Sequence, residues 1–314
     1  MMRVILTSAL LLLVLGACKP SEEEGQSNNS SNDFDTSTAY EVLAEIPFQN
    51  SGMFFKSNGD IVLTNRNTIY SLQNGQLTLF KSAIDTYGDS TCRAETFVYG
   101  DVHAIGSDDS IYYGGFSPYC NHGQLNGRHR AVKMDTSGNI STILSDYHDG
   151  ANHVVLGKNG EIFVASATQI YKLNSDGTTV PMIQGAALAD IQQNESGIAE
   201  FIPVPGGFYI VMYGLMGWRS NPNRLMFVSD SGDMSFIYGG EEVHSPLLSD
   251  TGDLYIKTHD QILKISPSGV ATVFADKSVL KSRYGYLTAL RDGYLYYISC
   301  DGGNNNCELR RLQM

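Results

Sequence analysis

The sequence predicts an all-β domain, a six-bladed β-propeller closed by an N-terminal strand in the last blade. Three observations predict it. A turn-plus-strand phrase recurs six times at a near-constant period. A second phrase between these copies brings each unit to four strands. One strand is spare at the N-terminal side, and the last unit lacks one.

The first phrase is a turn residue followed by an apolar strand. It appears as Gly59-Asp60-Ile61-Val62-Leu63 and Asp109-Ser110-Ile111-Tyr112-Tyr113. It returns as Gly160-Glu161-Ile162-Phe163-Val164 and Gly206-Gly207-Phe208-Tyr209-Ile210, then as Gly252-Asp253-Leu254-Tyr255-Ile256 and Gly293-Tyr294-Leu295-Tyr296-Tyr297. The first apolar residues lie 50, 51, 46, 46 and 41 residues apart. Between copies stands a hairpin, clearest as Gln169-Ile170-Tyr171-Lys172-Leu173 with Asp176-Gly177 and as Gln261-Ile262-Leu263-Lys264-Ile265 with Ser268-Gly269. Asn74-Gly75, Ser137-Gly138 and Ser231-Gly232 fill the same slot. Such dipeptides supply the positive φ that tight hairpins need. With a strand before each first turn, the units have four strands. Four-stranded units of about 40–50 residues are propeller blades.

The sixth unit runs out after a third strand at residues 308–312, while residues 40–46, Tyr-Glu-Val-Leu-Ala-Glu-Ile, precede the first unit as a spare strand. Pairing the two closes the ring and removes an open edge. Five or seven blades would leave a strand unpaired.

The N-terminal residues read differently. Arg3 is followed by an apolar run to Leu15, too short to span a bilayer, and then by Leu15-Gly16-Ala17-Cys18. This tetrad resembles the bacterial lipobox. The resemblance implies a signal peptide over residues 1–17 and a lipidated Cys18, its sulfur and amine carrying palmitate-type acyl chains. Several acyl chains on one residue make a stable membrane anchor. Lys19 stands where an Asp would signal inner-membrane retention, which points to the outer membrane of a Gram-negative envelope. Residues 18–38 form a polar tether with almost nothing apolar to bury. The propeller is expected over 39–314.

The formal charge of −12, or −13 once Arg3 is lost, argues against nucleic acid as a partner. Four cysteines remain beside Cys18, an even set that suggests disulfides in an exported chain. Cys92 and Cys120 fall on the long-loop face described below, and Cys300 and Cys307 flank one hairpin, so these pairs are expected.

Ala151-Asn152-His153-Val154-Val155-Leu156-Gly157-Lys158-Asn159-Gly160-Glu161-Ile162-Phe163-Val164-Ala165 is the stretch closest to a known family. It resembles six-bladed propellers of the NHL-repeat and gluconolactonase (regucalcin)-like group. The Gly turns mark a smooth face. The other face carries residues 114–129 and 213–223 as second-to-third loops, and 84–98 and 185–196 as inter-blade links. One elaborated face is how repeat scaffolds present a binding surface.

First strands line a propeller's axis. Counting eight residues back from each turn residue gives Ser51, Asp101, Asn152, Ile198, His244 and Gly285. Glu200, two beyond Ile198, is expected on the same side by alternation. The resemblance implies a divalent metal, Ca²⁺ or similar, near the axis. Asp101, Asn152, Glu200 and His244 are its candidate ligands; hard cations favour the oxygens, and His favours a transition metal. Ser51 stands where the family has a Glu. Trp218 and Arg219 are candidate binding residues for a sugar or peptide. His103, His122, His129, His148 and His153 read as scattered and mostly solvated. No nucleophile elbow, phosphate loop or His-Glu-x-x-His is present.

Two functions follow. The first is a monomeric envelope module that binds an envelope protein or glycan through its long-loop face. The second is a metal-dependent hydrolase of the lactonase type with a site in the central channel.

Overall fold

The computed structural model describes residues 40–47, 52–65, 68–81, 99–121, 124–147, 153–166, 168–193, 196–214, 223–239, 243–280, 284–300 and 306–314. They form six four-stranded antiparallel sheets. The spare strand is β1 (Glu41–Ile46). Blade 1 holds β2 (Gly52–Phe55), β3 (Ile61–Asn65), β4 (Thr68–Gln73) and β5 (Gln76–Lys81). Blade 2 holds β6 (Tyr99–Ile105), β7 (Ile111–Asn121), β8 (Gln124–Met134) and β9 (Ile140–Tyr147). Blade 3 holds β10 (His153–Leu156), β11 (Ile162–Ala165), β12 (Ile170–Leu173) and β13 (Thr179–Pro181). After helix α1 (Gly185–Gln193), blade 4 holds β14 (Ser196–Val204), β15 (Gly207–Gly214), β16 (Arg224–Ser229) and β17 (Met234–Gly239). Blade 5 holds β18 (His244–Leu248), β19 (Leu254–Lys257), β20 (Ile262–Ile265) and β21 (Ala271–Ala275), followed by the short helix α2 (Lys277–Leu280). Blade 6 holds β22 (Tyr284–Arg291), β23 (Tyr294–Cys300) and β24 (Cys307–Gln313), with β1 as its outer strand.

The predicted closure is therefore present. β1 pairs with β24 from Glu41↔Arg311 to Ile46↔Cys307. Ile46 is fully buried, and it packs with Met53, Leu63 and Leu309 from blades 1 and 6. Arg311 Nε donates to Glu41 Oε2 at 2.8 Å across the joint. Arg310 reaches inward: its guanidinium stacks 4.5 Å from the Tyr40 ring and donates to the Val279 carbonyl at 3.2 Å and to Glu308 at 2.7 Å. Cys300 and Cys307 are disulfide-bonded across the β23–β24 hairpin.

The short turns share one hydrogen-bonding scheme. In Ser249–Asp253 the Ser249 N–H donates to the Asp253 carbonyl and the Gly252 N–H to the Ser249 carbonyl, both at 2.9–3.0 Å. The same pair of bonds closes the turns beginning at Lys56, Gly106, Asp135, Gly157, Asn174, Ser229 and Ser266. The fourth residue has positive φ, which is why Gly recurs there. Blade 2 places Asp109 there instead, at φ 59°. Its carboxylate accepts from the Ser57 N–H at 2.7 Å and Oγ at 3.1 Å, which ties blade 2 to blade 1.

Two expected loops are regular structure. Residues 114–121 and 124–129 lie within β7 and β8, which pair out to Asn121↔Gln124, whereas β6 ends its pairing at Phe116 and β9 at His129. Residues 117–121 and 124–128 thus form a two-stranded ribbon on the long-loop face; its pairing satisfies backbone groups that a loop would leave to water. Residues 185–193 of the link fold as α1, because Ala187 and Ile191, four apart, bury against Phe163, Phe208 and Ile210. Residues 84–98 and 215–222 lie outside the described residues.

Candidate functional site: the axial channel

A blade packs both faces against its neighbours, so a regular first strand sends alternate side chains to the blades on either side. Leu156 and Val155 in β10 do this, joining the clusters shared with blades 2 and 4 respectively. Such a strand turns only its edge to the axis. A bulge breaks this alternation and re-aims a side chain, although His153 in the regular strand β10 reaches the wall without one. Four of the six first strands are broken by bulges: β6 at Val102/Ala104, β14 at Ile198/Glu200, β18 at His244/Leu247 and β22 at Leu287/Ala289. Bulges re-aim side chains in this way next to functional sites.

The bulge in β14 corrects the reading by alternation. Ile198 does not share a side with Glu200. It is 1% exposed in the core against Phe201 and Met212, while Glu200 lines the channel.

The channel holds a cavity of about 770 Å³ with all six first strands in its wall. His103, His153, Glu200 and His244 come from blades 2, 3, 4 and 5 in succession. Blades 6 and 1 contribute Tyr286, Leu287, Met53 and Phe54. The wall therefore has a titratable side and an apolar, aromatic side. Gly285 belongs to the wall as well. A Cβ there would lie 2.2 Å from the Ile298 carbonyl oxygen, so the backbones approach too closely for any side chain.

Glu200 has the most perturbed carboxyl of the site. Removal from water raises its pKa from 4.5 to about 7, against a smaller opposing effect of the Ser245 N–H, which donates to it. Ser245 sits in the β18 bulge at φ 50°, a conformation that non-glycine residues seldom adopt. The unusual backbone and the hydrogen bond occur at one residue, where strain accompanies positioning of a channel group. The rings of His103 and His153 meet edge to face with centroids 5.2 Å apart. His244 stands opposite Lys257 in β19, and the buried Lys257 ammonium donates to the Thr258 and His259 carbonyls.

Of the predicted metal ligands, Glu200 and His244 line the channel. Asp101 lies in β6 opposite Gly114, but its side chain is outside the described residues, as is all of Asn152. Among the described residues, no three His, Cys, Asp or Glu side chains are grouped as a metal ion requires. The described wall thus supplies two of the four predicted ligands, Glu200 and His244. Sequence reasoning missed His103 and His153, set aside as solvated. Each was within reach of the counting that found Glu200: His153 follows Asn152, and His103 lies two beyond Asp101 as Glu200 does beyond Ile198. Cys18, Cys92, Trp218 and Arg219 lie outside the described residues; Cys120 lies in β7 opposite Leu125.

No protein-family profile matches the chain, and no curated protein matches its sequence. Solved structures do match its fold. A gluconolactonase from Xanthomonas campestris matches over 87% of this chain and 89% of its own, with 10% identity and a TM-score of 0.60. A Thermus thermophilus protein assigned as an oxidoreductase (glucose dehydrogenase) matches over 87% and 99%, with 13% identity and a TM-score of 0.57. The extracellular domain of a protein assigned as a hybrid two-component system of B. thetaiotaomicron matches over 87% of this chain and 34% of its own, with 10% identity and a TM-score of 0.54. At such identities the likeness is one of fold, and propellers carry many functions. Among the described residues, no helix is long and apolar enough to cross a membrane. The chain is a six-bladed β-propeller whose structural neighbours are gluconolactonase-like propellers.

Proposed function

We propose that this protein is a binding module of the cell envelope, held to a membrane through a lipidated Cys18, that takes a small molecule into its axial channel from the long-loop face. The observation that carries this reading is the channel wall itself. A cavity of about 770 Å³ is within the range of small-molecule sites, and its convergent polar groups all come from first strands. Four first strands carry a bulge at this wall. The test is a thermal-shift and equilibrium-binding screen of sugars, sugar acids and amines on the wild type and Glu200→Gln. A ligand that stabilises the wild type and not the variant supports the reading. Ligands that bind both equally place the site elsewhere. For the anchor, Cys18→Ser is expected to abolish acyl labelling and membrane fractionation, and normal labelling would contradict it.

One observation favours a second reading, a hydrolase of the lactonase type. A carboxyl titrating at about 7 is suited to general acid–base work near neutral pH. Lactone turnover that requires an added divalent metal and is lost in Glu200→Gln would move the protein to that class.

A further inference from the structure

The charge pattern of the channel wall indicates which ligands it takes. This step rests on the channel being the binding site. Glu200 supplies the only carboxyl among the described side chains of the wall, and no Lys or Arg joins it there. The nearest fixed support is one N–H, that of Ser245. An enclosed carboxylate needs an opposite charge or several hydrogen bonds to remain ionised. Lys257, on the neighbouring strand, is committed to the Thr258 and His259 carbonyls. The wall facing Glu200 across the ring belongs to blade 1, next to blade 6; Met53 and Leu287 there are buried between blades, and the partly buried Phe54 and Tyr286 line the cavity. Aromatic faces attract organic cations and repel carboxylates. The chain as a whole carries a formal charge of −12, so its field draws cations toward the channel mouth.

We infer that the channel binds a small organic cation, a protonated amine or quaternary ammonium on a short apolar body, with the cationic head at Glu200 and the body against Phe54 and Tyr286. The ligand then supplies the counter-charge that the wall lacks. The histidines at 103, 153 and 244 border the head group. A sugar acid would bring a second negative charge to Glu200 and is disfavoured.

The test compares three probes of nearly equal shape on detergent-solubilised full-length protein above pH ~8, where Glu200 is ionised: 2-phenylethylamine, 2-phenylethanol and phenylacetate. The amine is expected to bind at least about tenfold tighter than the alcohol, and phenylacetate not to bind. Glu200→Gln is expected to erase the preference for the amine, with an unchanged far-UV spectrum and a cooperative melt showing that it is folded. Equal or tighter binding of the alcohol overturns the cationic class and leaves the channel as the site. Amine binding that persists in Glu200→Gln, or no amine binding up to millimolar concentration, overturns the inference. If in addition no sugar, sugar acid or amine distinguishes wild type from variant, the channel reading falls with it. Should Glu200→Gln not fold, the ranking of the three probes on the wild type decides alone.

Discussion

The closing seam of blade 6 and the axial channel are built in opposite ways. At the seam, β1 and β24 pair with one register shift at Val42/Ala44, Arg311 and Arg310 donate to Glu41 and to the Val279 carbonyl, and the buried positions of β1 are apolar. In the channel, pairing breaks in four first strands, a non-glycine residue takes positive φ, and a carboxyl is enclosed with one hydrogen-bond donor. The seam is optimised for stability. The channel gives some of it up, as binding sites commonly do.

Breaking the seam should have the largest effect. Deleting residues 38–47 removes Leu43, Ala44 and Ile46 from the core and bares the edge of β24. The lost core side chains alone are worth about 3–5 kcal/mol. The apparent melting temperature is expected to fall by at least ~10 °C, or the cooperative transition to vanish. Deleting residues 20–35 should leave it unchanged, and calorimetry on both deletions checks this.

Arg310→Met is the next step down. It removes a guanidinium whose side chain is 3% exposed and that ties Glu308, Tyr40 and the end of α2 together. Breaking a buried pair from one side costs about 3 kcal/mol. Denaturant unfolding should show this loss, whereas Arg311→Met, at a pair exposed by 29% and 57%, should cost under about 1 kcal/mol. Equal costs would mean that the inward reach of Arg310 does not hold the seam.

The channel should respond in the other direction. The pKa of Glu200 is raised from 4.5 to about 7, so the folded chain holds this proton more tightly than the unfolded chain. That contribution to stability is fully present below pH 4.5 and is lost as pH rises through about 7. Glu200→Gln does not titrate. It is expected to gain up to about 3 kcal/mol on the wild type between pH ~5 and pH ~8.5, read as the difference in unfolding free energy. No pH-dependent gain would mean that Glu200 is solvated and the channel is not a strained site.

The same contrast decides what was legible in the sequence. Six turn phrases and one spare strand suffice for the blade count and for β1, because period-two alternation and Gly turns are local signals. Asn74-Gly75, both at positive φ, is read correctly from two residues. The channel resists that reading because it departs from alternation. Counting in twos from Ile198 reaches Glu200 and assigns them one side, yet one residue of bulge separates core from channel. His103, at the β6 bulge, is missed for the same reason. The ribbon of 117–121 and 124–128 carries the Gly, Pro and Asn residues of a loop, and its pairing is set across the hairpin rather than by local alternation.

The most direct test of the account is the titration of Glu200 itself, followed through its side-chain carboxyl carbon by NMR and assigned by comparison with Glu200→Gln. The account predicts that Glu200 titrates near 7. A Glu200 that titrates near its ordinary value of 4.5 would contradict it, since such a carboxyl is open to water and the channel wall does not enclose it.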